Sequence, residues 1–143
     1  MRRLLVCVLA AGLAGCGGDG RPAHAPAVPV SGRVTVNGQP AAGALVVFHA
    51  TARGLEAGPS PFATTAADGS YRLTFYTADE GAPEGEYAVT VVWNVKAKEA
   101  KFAIGDGGGT ADKLGGRYAD LRTPKLTAVV KKGEPNTFDF DLR

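Results

Sequence analysis

The two cysteines are the most reactive side chains in this sequence. Cys7 lies within an apolar run that follows Arg2 and Arg3, and Cys16 comes shortly after that run. A cysteine thiolate can form a disulfide, bind a metal or act as a nucleophile, and each use needs a suitable partner nearby. The residues around Cys16 therefore decide which chemistry to expect.

Residues 1–15 have the pattern of an export signal. The charged start is followed by the apolar run Leu4–Leu13, about ten residues long, whereas a transmembrane helix needs ~20. The run ends in Leu13-Ala14-Gly15-Cys16, which resembles the lipobox of bacterial lipoproteins. The resemblance implies cleavage between Gly15 and Cys16 and acylation of the Cys16 thiol. An ordinary secretory signal that happens to end in a cysteine is the alternative.

Cleavage at this point changes the charge and the redox chemistry of the mature chain. The 16 Lys and Arg residues fall to 14 once Arg2 and Arg3 leave, which equals the 14 Asp and Glu residues, so the net charge becomes zero. A nucleic-acid partner requires a strongly basic face, and we therefore expect none. With Cys7 removed no internal disulfide can form, and stability must come from a hydrophobic core.

Catalytic sets are hard to assemble from the remaining residues. The two histidines are His24, in a Gly-, Pro- and Ala-rich stretch, and His49, at the end of a predicted strand. No Cys, Asp or Glu stands at metal-ligand spacing around them, and no Gly-x-Ser-x-Gly nucleophile elbow is present. We therefore predict a non-enzymatic protein with no catalytic residue, no metal site and no cofactor.

Two further segments carry the residue types of ion sites. Asp139 and Asp141 alternate with apolar residues on the last strand, so we expect them on its exposed face, with a weak cation site as the alternative. The glycine-rich run 105–109 lacks the Gly-Lys-Ser/Thr ending of a phosphate-binding loop and follows no βα unit. We interpret that run as an ordinary loop.

Recognition of a partner is predicted for Trp93, Arg117 and Tyr118. Aromatic and arginine side chains carry much of the binding free energy of protein interfaces. The alternative is structural, with Trp93 in the core and Tyr118 fixing a long loop to the sheets. A carbohydrate- or small-ligand-binding surface would require Trp93, Tyr76 or Tyr118 to be exposed on one shared surface.

Short strands joined by tight turns must position these residues. Asn37-Gly38 and Asp68-Gly69 are hairpin signals, because their residues adopt positive φ at little cost. Apolar residues recur at every second position after Asp68-Gly69 and again in the segment 87–93, as in half-buried strands. The segment 44–50 is apolar on both faces, which predicts a central strand or a covered outer face. The last strand is expected to bury Phe138, Phe140 and Leu142.

About seven such strands and no convincing helix predict an all-β fold, a seven-stranded antiparallel β-sandwich, with an up-and-down barrel as the alternative. We divide the chain into a signal peptide (residues 1–15), a flexible tether (residues 16–29) and one β-domain (residues 30–143). Residues 96–124 are predicted to form one long loop excursion before the last two strands, and such long loops are often functional.

Three motifs of the domain resemble a known family. Val30-Ser31-Gly32-Arg33-Val34, the T-x-x-D-G-x-Y-x-L turn of Thr65–Leu73 and the segment Glu84–Val91 are similar to the carboxypeptidase regulatory-like domain. The loop Asp112–Asp120 resembles that of small bacterial lipoproteins of this type, except that Gly115-Gly116 stands where many relatives carry Pro and a charged residue. The resemblance covers about Val28 to Leu142 and implies a transthyretin-like (prealbumin-like) sandwich, a cell-envelope location and no reaction.

Together these observations predict a cell-envelope lipoprotein that is attached to a membrane through Cys16 and faces the periplasm or the exterior. Its domain would act as a structural or protein-interaction module for an unknown envelope protein, chiefly through the 96–124 excursion and an exposed strand edge. A carbohydrate- or small-ligand-binding module that binds a glycan is the alternative.

Overall fold

The computed structural model describes residues 25–51, 59–95 and 111–143. The predicted signal peptide, Cys16, His24 and residues 96–110 with their glycine-rich run lie outside these ranges. The described part of the chain is all-β and contains no helix, and therefore none long and apolar enough to cross a membrane. Its strands are β1 (Ala27–Val28), β2 (Val30–Val36), β3 (Gln39–Pro40), β4 (Leu45–Ala50), β5 (Phe62–Thr64), β6 (Ser70–Arg72), β7 (Ala82–Pro83), β8 (Gly85–Val92), β9 (Asn94–Val95), β10 (Ala111–Asp112), β11 (Leu126–Val130), β12 (Asn136–Thr137) and β13 (Phe140–Leu142).

Two sheets contain the longer strands. The first sheet has the order β11-β8-β4-β5, and all its pairs are antiparallel. The second sheet is built around β2, which pairs with β3 and β6 on one side and with β12 and β13 on the other. Two short antiparallel pairs, β1-β7 and β9-β10, lie beside these sheets.

Side chains from both sheets meet in one hydrophobic core. Phe48 of the first sheet packs against Phe138, which lies between β12 and β13 of the second sheet, with 5.9 Å between the ring centroids. Strand β4 lies between β8 and β5, which confirms the central position predicted from its apolar sequence. The largest fully buried side chains are Phe48, Leu73, Leu114, Leu142, Val34, Val46, Val89, Val91 and Val130.

The two predicted hairpin turns have different outcomes. Asn37-Gly38, with φ of 50° and 75°, joins the paired strands β2 and β3 as predicted. Asp68-Gly69 also forms a tight turn, but β5 pairs with β4 and β6 pairs with β2, so the flanking strands belong to different sheets. Buried Thr65 explains the change of sheet, because its hydroxyl donates to the Ala41 carbonyl and accepts from the Ala44 amide.

The closing strand differs from the prediction in direction and continuity. Both β12 and β13 pair with β2 in parallel, so the prediction of a wholly antiparallel sandwich is wrong here. Parallel pairing is possible because a long crossover, rather than a hairpin, connects β2 to the end of the chain. Between the two strands the Asp139 carboxylate accepts the Arg33 amide at 2.8 Å. Phe140 and Leu142 are buried as predicted, whereas Phe138 is half-buried.

The start of the described chain is part of the fold. Ala27 and Val28, which the sequence analysis assigned to the tether, pair as β1 with Pro83 and Ala82 of β7. Gly81 lies against this strand, since a Cβ atom added to it would come within 1.8 Å of the Val28 carbonyl oxygen. Ala27 and Val28 therefore belong to the described fold rather than to a tether.

Candidate functional site

The three predicted recognition residues lie in one region, where residues 111–119 pack against the end of β8. We call these nine residues the clamp loop. Strand β9 pairs with β10 and sets Asn94 opposite Asp112, which brings the start of the clamp loop next to Trp93. Leu114 inserts into the core and is 1% exposed. The described half of the predicted excursion is thus attached to the sheets.

The Asp112 carboxylate organises the clamp loop. Its Oδ1 atom accepts the amides of Trp93 (2.9 Å) and Leu114 (3.0 Å), and its Oδ2 atom accepts the Gly116 amide (2.8 Å). Burial raises the pKa of Asp112. These backbone hydrogen bonds and the nearby Arg117 charge together lower the pKa by more than burial raises it, so the pKa of Asp112 lies below its usual value. A charged Asp112 therefore stabilises the conformation in which the clamp loop packs against β8.

Two glycines allow the chain to curl around this carboxylate. Gly115 and Gly116 have φ of 60° and 73°, in the left-handed region that side chains with a Cβ atom disfavour. This requirement gives a physical reason for the Gly115-Gly116 pair.

Trp93 is half-buried and bonded on several sides. Its indole Nε1 donates to the Ala42 carbonyl at 2.8 Å, and its own carbonyl accepts the Lys113 amide at 2.8 Å. The Lys113 ammonium lies 4.3 Å from the ring centroid, a distance suitable for a cation–π contact.

Tyr118 and Arg117 close the clamp loop. The Tyr118 hydroxyl accepts the Arg143 amide at 3.2 Å, and its carbonyl accepts the Val91 amide at 3.0 Å. Lys125 Nζ and Arg117 Cζ lie 5.7 Å and 6.0 Å from the centroid of the Tyr118 ring. Arg117 Nε also donates to the Leu114 carbonyl at 3.0 Å. These contacts give the predicted recognition residues structural roles, and their role in recognition stays a prediction.

The other polar residues that the sequence analysis considered for chemistry also have structural partners. The His49 ring Nε2 lies 3.0 Å from the Thr90 hydroxyl, and burial lowers the pKa of His49. Asp139 and Asp141 are exposed as predicted, and Asp141 accepts the Thr35 hydroxyl at 2.9 Å. Within residues 25–51, 59–95 and 111–143, no group of three His, Cys, Asp or Glu side chains could hold a metal ion.

A polar cleft of about 600 Å³ lies on the outer face of the second sheet, and the sequence analysis did not identify it. The strand register places Thr137, Ser31 and Arg72 side by side across β12, β2 and β6. Arg33 and Ser70 form the next row of β2 and β6. The only sequence signal was the alternation of polar and apolar residues, which does not reveal which distant strands are neighbours.

Comparison with known proteins adds little to this geometry. No family model matches the chain, and no curated protein matches it. Among solved structures, a 9R-lipoxygenase from Cyanothece PCC8801 is similar, with 12% sequence identity and a TM-score of 0.35. The match covers 86% of this chain but 18% of the lipoxygenase chain. A likeness at this TM-score carries no argument about fold or activity.

Proposed function

We propose that this protein is a non-enzymatic lipoprotein of the cell envelope, attached to a membrane by acylated Cys16 and presenting its β-domain to a partner. The lipobox-like sequence Leu13–Cys16 supports the anchor. The hydrogen bonds that His49, Asp112, Asp139 and Asp141 make within the fold support a non-catalytic role.

The proposal includes a seven-stranded, transthyretin-like sandwich of the carboxypeptidase regulatory-like type. Its support is the division of the longer strands into two sheets with a common core, β11-β8-β4-β5 on one side and β6, β2 and the broken strand β12-β13 on the other. Counted in this way, four strands face three.

The partner-binding surface is the outer edge of β11, and this edge is the observation on which the proposal rests. Strand β11 is the last strand of the first sheet, and among the described residues it pairs with β8 alone. Val129 is 49% exposed, although it lies within a strand. An unpaired edge offers backbone donors and acceptors to another extended segment, which is the basis of recognition by strand addition.

Charge favours an acidic partner at this edge. Lys125 and Lys131 flank β11, and Lys132 follows; Lys131 Nζ lies 3.6 Å from Glu134 Oε2, an exposed ion pair that is weak enough to be exchanged. In an antiparallel pair of two copies centred on Ala128, Lys125 of each copy would face Lys131 of the other, and like charges opposite each other are unfavourable. An extended segment with Asp or Glu at these positions would instead form favourable pairs.

Site-specific crosslinking in cells tests this proposal. A photo-reactive residue at Val129 is expected to give a crosslinked adduct with a defined envelope protein, whereas the same residue at Gln39, exposed on β3 of the other sheet, gives none. Equal adducts at both positions, or none at Val129, would contradict the edge as the binding surface. Cys16→Ala tests the anchor separately, because the variant is expected to leave the membrane fraction.

A second candidate function is binding of a glycan or another small ligand. The polar cleft on the second sheet favours it, since about 600 Å³ lies within the range of small-ligand sites.

A further inference from the structure

The polar cleft combines hydroxyl groups with charges of both signs. Ser31, Thr64 and Thr137 contribute hydroxyls that can donate and accept a hydrogen bond, whereas the Ser70 hydroxyl donates to Asp68 Oδ1 at 2.6 Å and can only accept. They point outward because they alternate with core residues of β2, β5, β6 and the closing strand. The lining is therefore built by strands of the sheets rather than by loops alone.

Two opposite charges of the cleft are available to a ligand. The Arg72 guanidinium and the Asp79 carboxylate both line the cleft and are exposed, and neither makes a hydrogen bond or an ion pair with the described residues. The other two charges of the cleft, Arg33 and Asp139, have partners within the fold: Arg33 Nη2 lies 3.5 Å from Asp68 Oδ2, and Asp139 Oδ1 accepts the Arg33 amide at 2.8 Å.

Both available charges are held by ordered backbone. Arg72 lies in β6, opposite Ser31 of β2. Asp79 has a φ of 56° in a turn where the Glu80 carboxylate accepts the amides of Tyr76 (3.1 Å) and Thr77 (3.0 Å). The backbone positions of the two residues are thus set by the fold before a ligand binds, which lowers the part of the entropy cost that comes from ordering the chain.

We propose that the polar cleft binds an acidic saccharide, a sugar that carries a carboxylate. The sugar carboxylate binds Arg72, with the hydroxyls of Ser31 and Thr137 beside it, and the sugar hydroxyls donate to Asp79. This inference rests on the second candidate function and is independent of the β11 edge.

Other ligand chemistries fit the lining less well. A phosphate or sulfate ion concentrates up to two negative charges on one group, which the Asp79 and Asp139 carboxylates repel more strongly than a single carboxylate, and it brings no sugar hydroxyls to donate to Asp79. A neutral sugar would leave Arg72 without a counter-charge. A zwitterionic peptide end would match Arg72 and Asp79 but make little use of the Ser31, Thr64 and Thr137 hydroxyls, which suit the donor-and-acceptor character of sugar hydroxyls.

We expect binding to be weak. The cleft is open to solvent, and the aromatic ring that lines it, Tyr71, is buried and donates its hydroxyl to the Phe138 carbonyl at 2.7 Å, so its ring is not exposed for stacking. A dissociation constant on the order of 10⁻⁴ to 10⁻³ M is expected for such a site.

The test is a calorimetric or NMR titration of the full chain in detergent micelles. The probes are trigalacturonate, a glucuronate-containing disaccharide, the methyl ester of trigalacturonate, glycylglycine and inorganic phosphate. At least one acidic saccharide is expected to bind, and methyl esterification, Arg72→Gln or Asp79→Asn is expected to weaken it about ten- to hundredfold, the range for hydrogen bonds to charged groups. Arg122→Gln is the matched control, because Arg122 is exposed and paired with Asp120 outside the cleft.

Several results would overturn the proposal. One is that neither acidic saccharide binds at up to about 10 mM, roughly ten times the weakest expected dissociation constant. Another is that the methyl ester binds as tightly as trigalacturonate, or that phosphate or glycylglycine binds more tightly than both acidic saccharides. A third is that Arg72→Gln and Arg122→Gln change the affinity equally. An unchanged near-ultraviolet circular dichroism spectrum of Arg72→Gln shows that the variant is folded. Crosslinking at Val129 is unaffected by these outcomes, so the two proposals fail separately.

Discussion

The clamp loop and the polar cleft are both rich in charged residues, but they use charge in different ways. In the clamp loop the Asp112 carboxylate accepts three backbone amides, and Lys113 and Arg117 lie near aromatic rings. In the cleft, Arg72 and Asp79 have no such partners among the described residues. The comparison indicates that residue type alone does not identify a recognition surface, since a group already bonded within the fold has less to offer a ligand.

Glycine substitutions are expected to have the largest effects on the free energy of unfolding, and the physical reason for the loss differs between the two regions. A Cβ atom on Gly32, beneath the cleft, would lie 1.9 Å from the Phe138 carbonyl oxygen, so Gly32→Ala is expected to cost at least about 3 kcal/mol of unfolding free energy. Gly116→Ala in the clamp loop has open space but a φ of 73°, and it should cost about 1–2 kcal/mol. Urea denaturation measures both, and a smaller cost for Gly32→Ala would contradict the packing of β2 against the closing strand.

Removal of the Asp112 carboxylate is expected to cause the next largest loss of unfolding free energy. Asp112→Ala leaves three amides without their acceptor and is expected to cost about 2–3 kcal/mol in urea denaturation. Asp120→Ala is the matched control, because this half-buried carboxylate bonds locally to Arg122 and Thr123. Equal losses for the two variants would show that the clamp loop does not depend on Asp112.

The same carboxylate predicts a pH dependence. The pKa of Asp112 is lower in the folded than in the unfolded chain, so the folded state binds fewer protons and charged Asp112 stabilises it. This contribution is present above the unfolded pKa of about 4 and is lost as the pH falls through the lower folded pKa. Asp68 and Asp120, whose pKa values are also lowered, act in the same direction. Between about pH 5 and pH 2, Asp112→Asn should therefore lose less stability than the wild type, and parallel curves would contradict the role of Asp112.

The smallest stability effects are expected in the cleft. Arg72→Gln and Asp79→Asn remove charges that have no partner among the described residues, so each should change the unfolding free energy by less than about 0.5 kcal/mol. If either variant lost more than about 1 kcal/mol of unfolding free energy, the charge would contribute to the stability of the fold and would not be available to a ligand.

Much of the fold could be predicted from local sequence. Alternation identified the longer strands, Asn37-Gly38 identified its hairpin, and the apolar segment 44–50 indicated a central strand. These features depend on neighbouring residues along the chain, and local physical chemistry decides them. At Asp68-Gly69 the chain passes from the first sheet to the second. This depends on Thr65 and its distant partners Ala41 and Ala44, and no local pattern in the sequence reveals these contacts.

The candidate site was predicted less well for the same reason. Trp93, Arg117 and Tyr118 were predicted to recognise a partner, and that role stays a prediction. The bonds that Trp93 and Tyr118 make to Ala42 and Arg143 depend on how the chain returns to the sheets, which the local sequence does not reveal. The polar cleft requires the register of β6, β2 and β12, which are far apart in sequence. The parallel direction of the closing strand is likewise a property of the whole topology.

Amide hydrogen exchange at Trp93, Leu114 and Gly116 tests the central claim that the clamp loop is a structural element held by Asp112. The wild type is expected to protect all three amides, and Asp112→Asn to weaken that protection while the amides of β4 and β8 stay protected. Fast exchange of the three amides in the wild type, or unchanged protection in Asp112→Asn, would contradict the account. Either of those results would favour the clamp loop, with Trp93 and Tyr118, as a surface available for recognition.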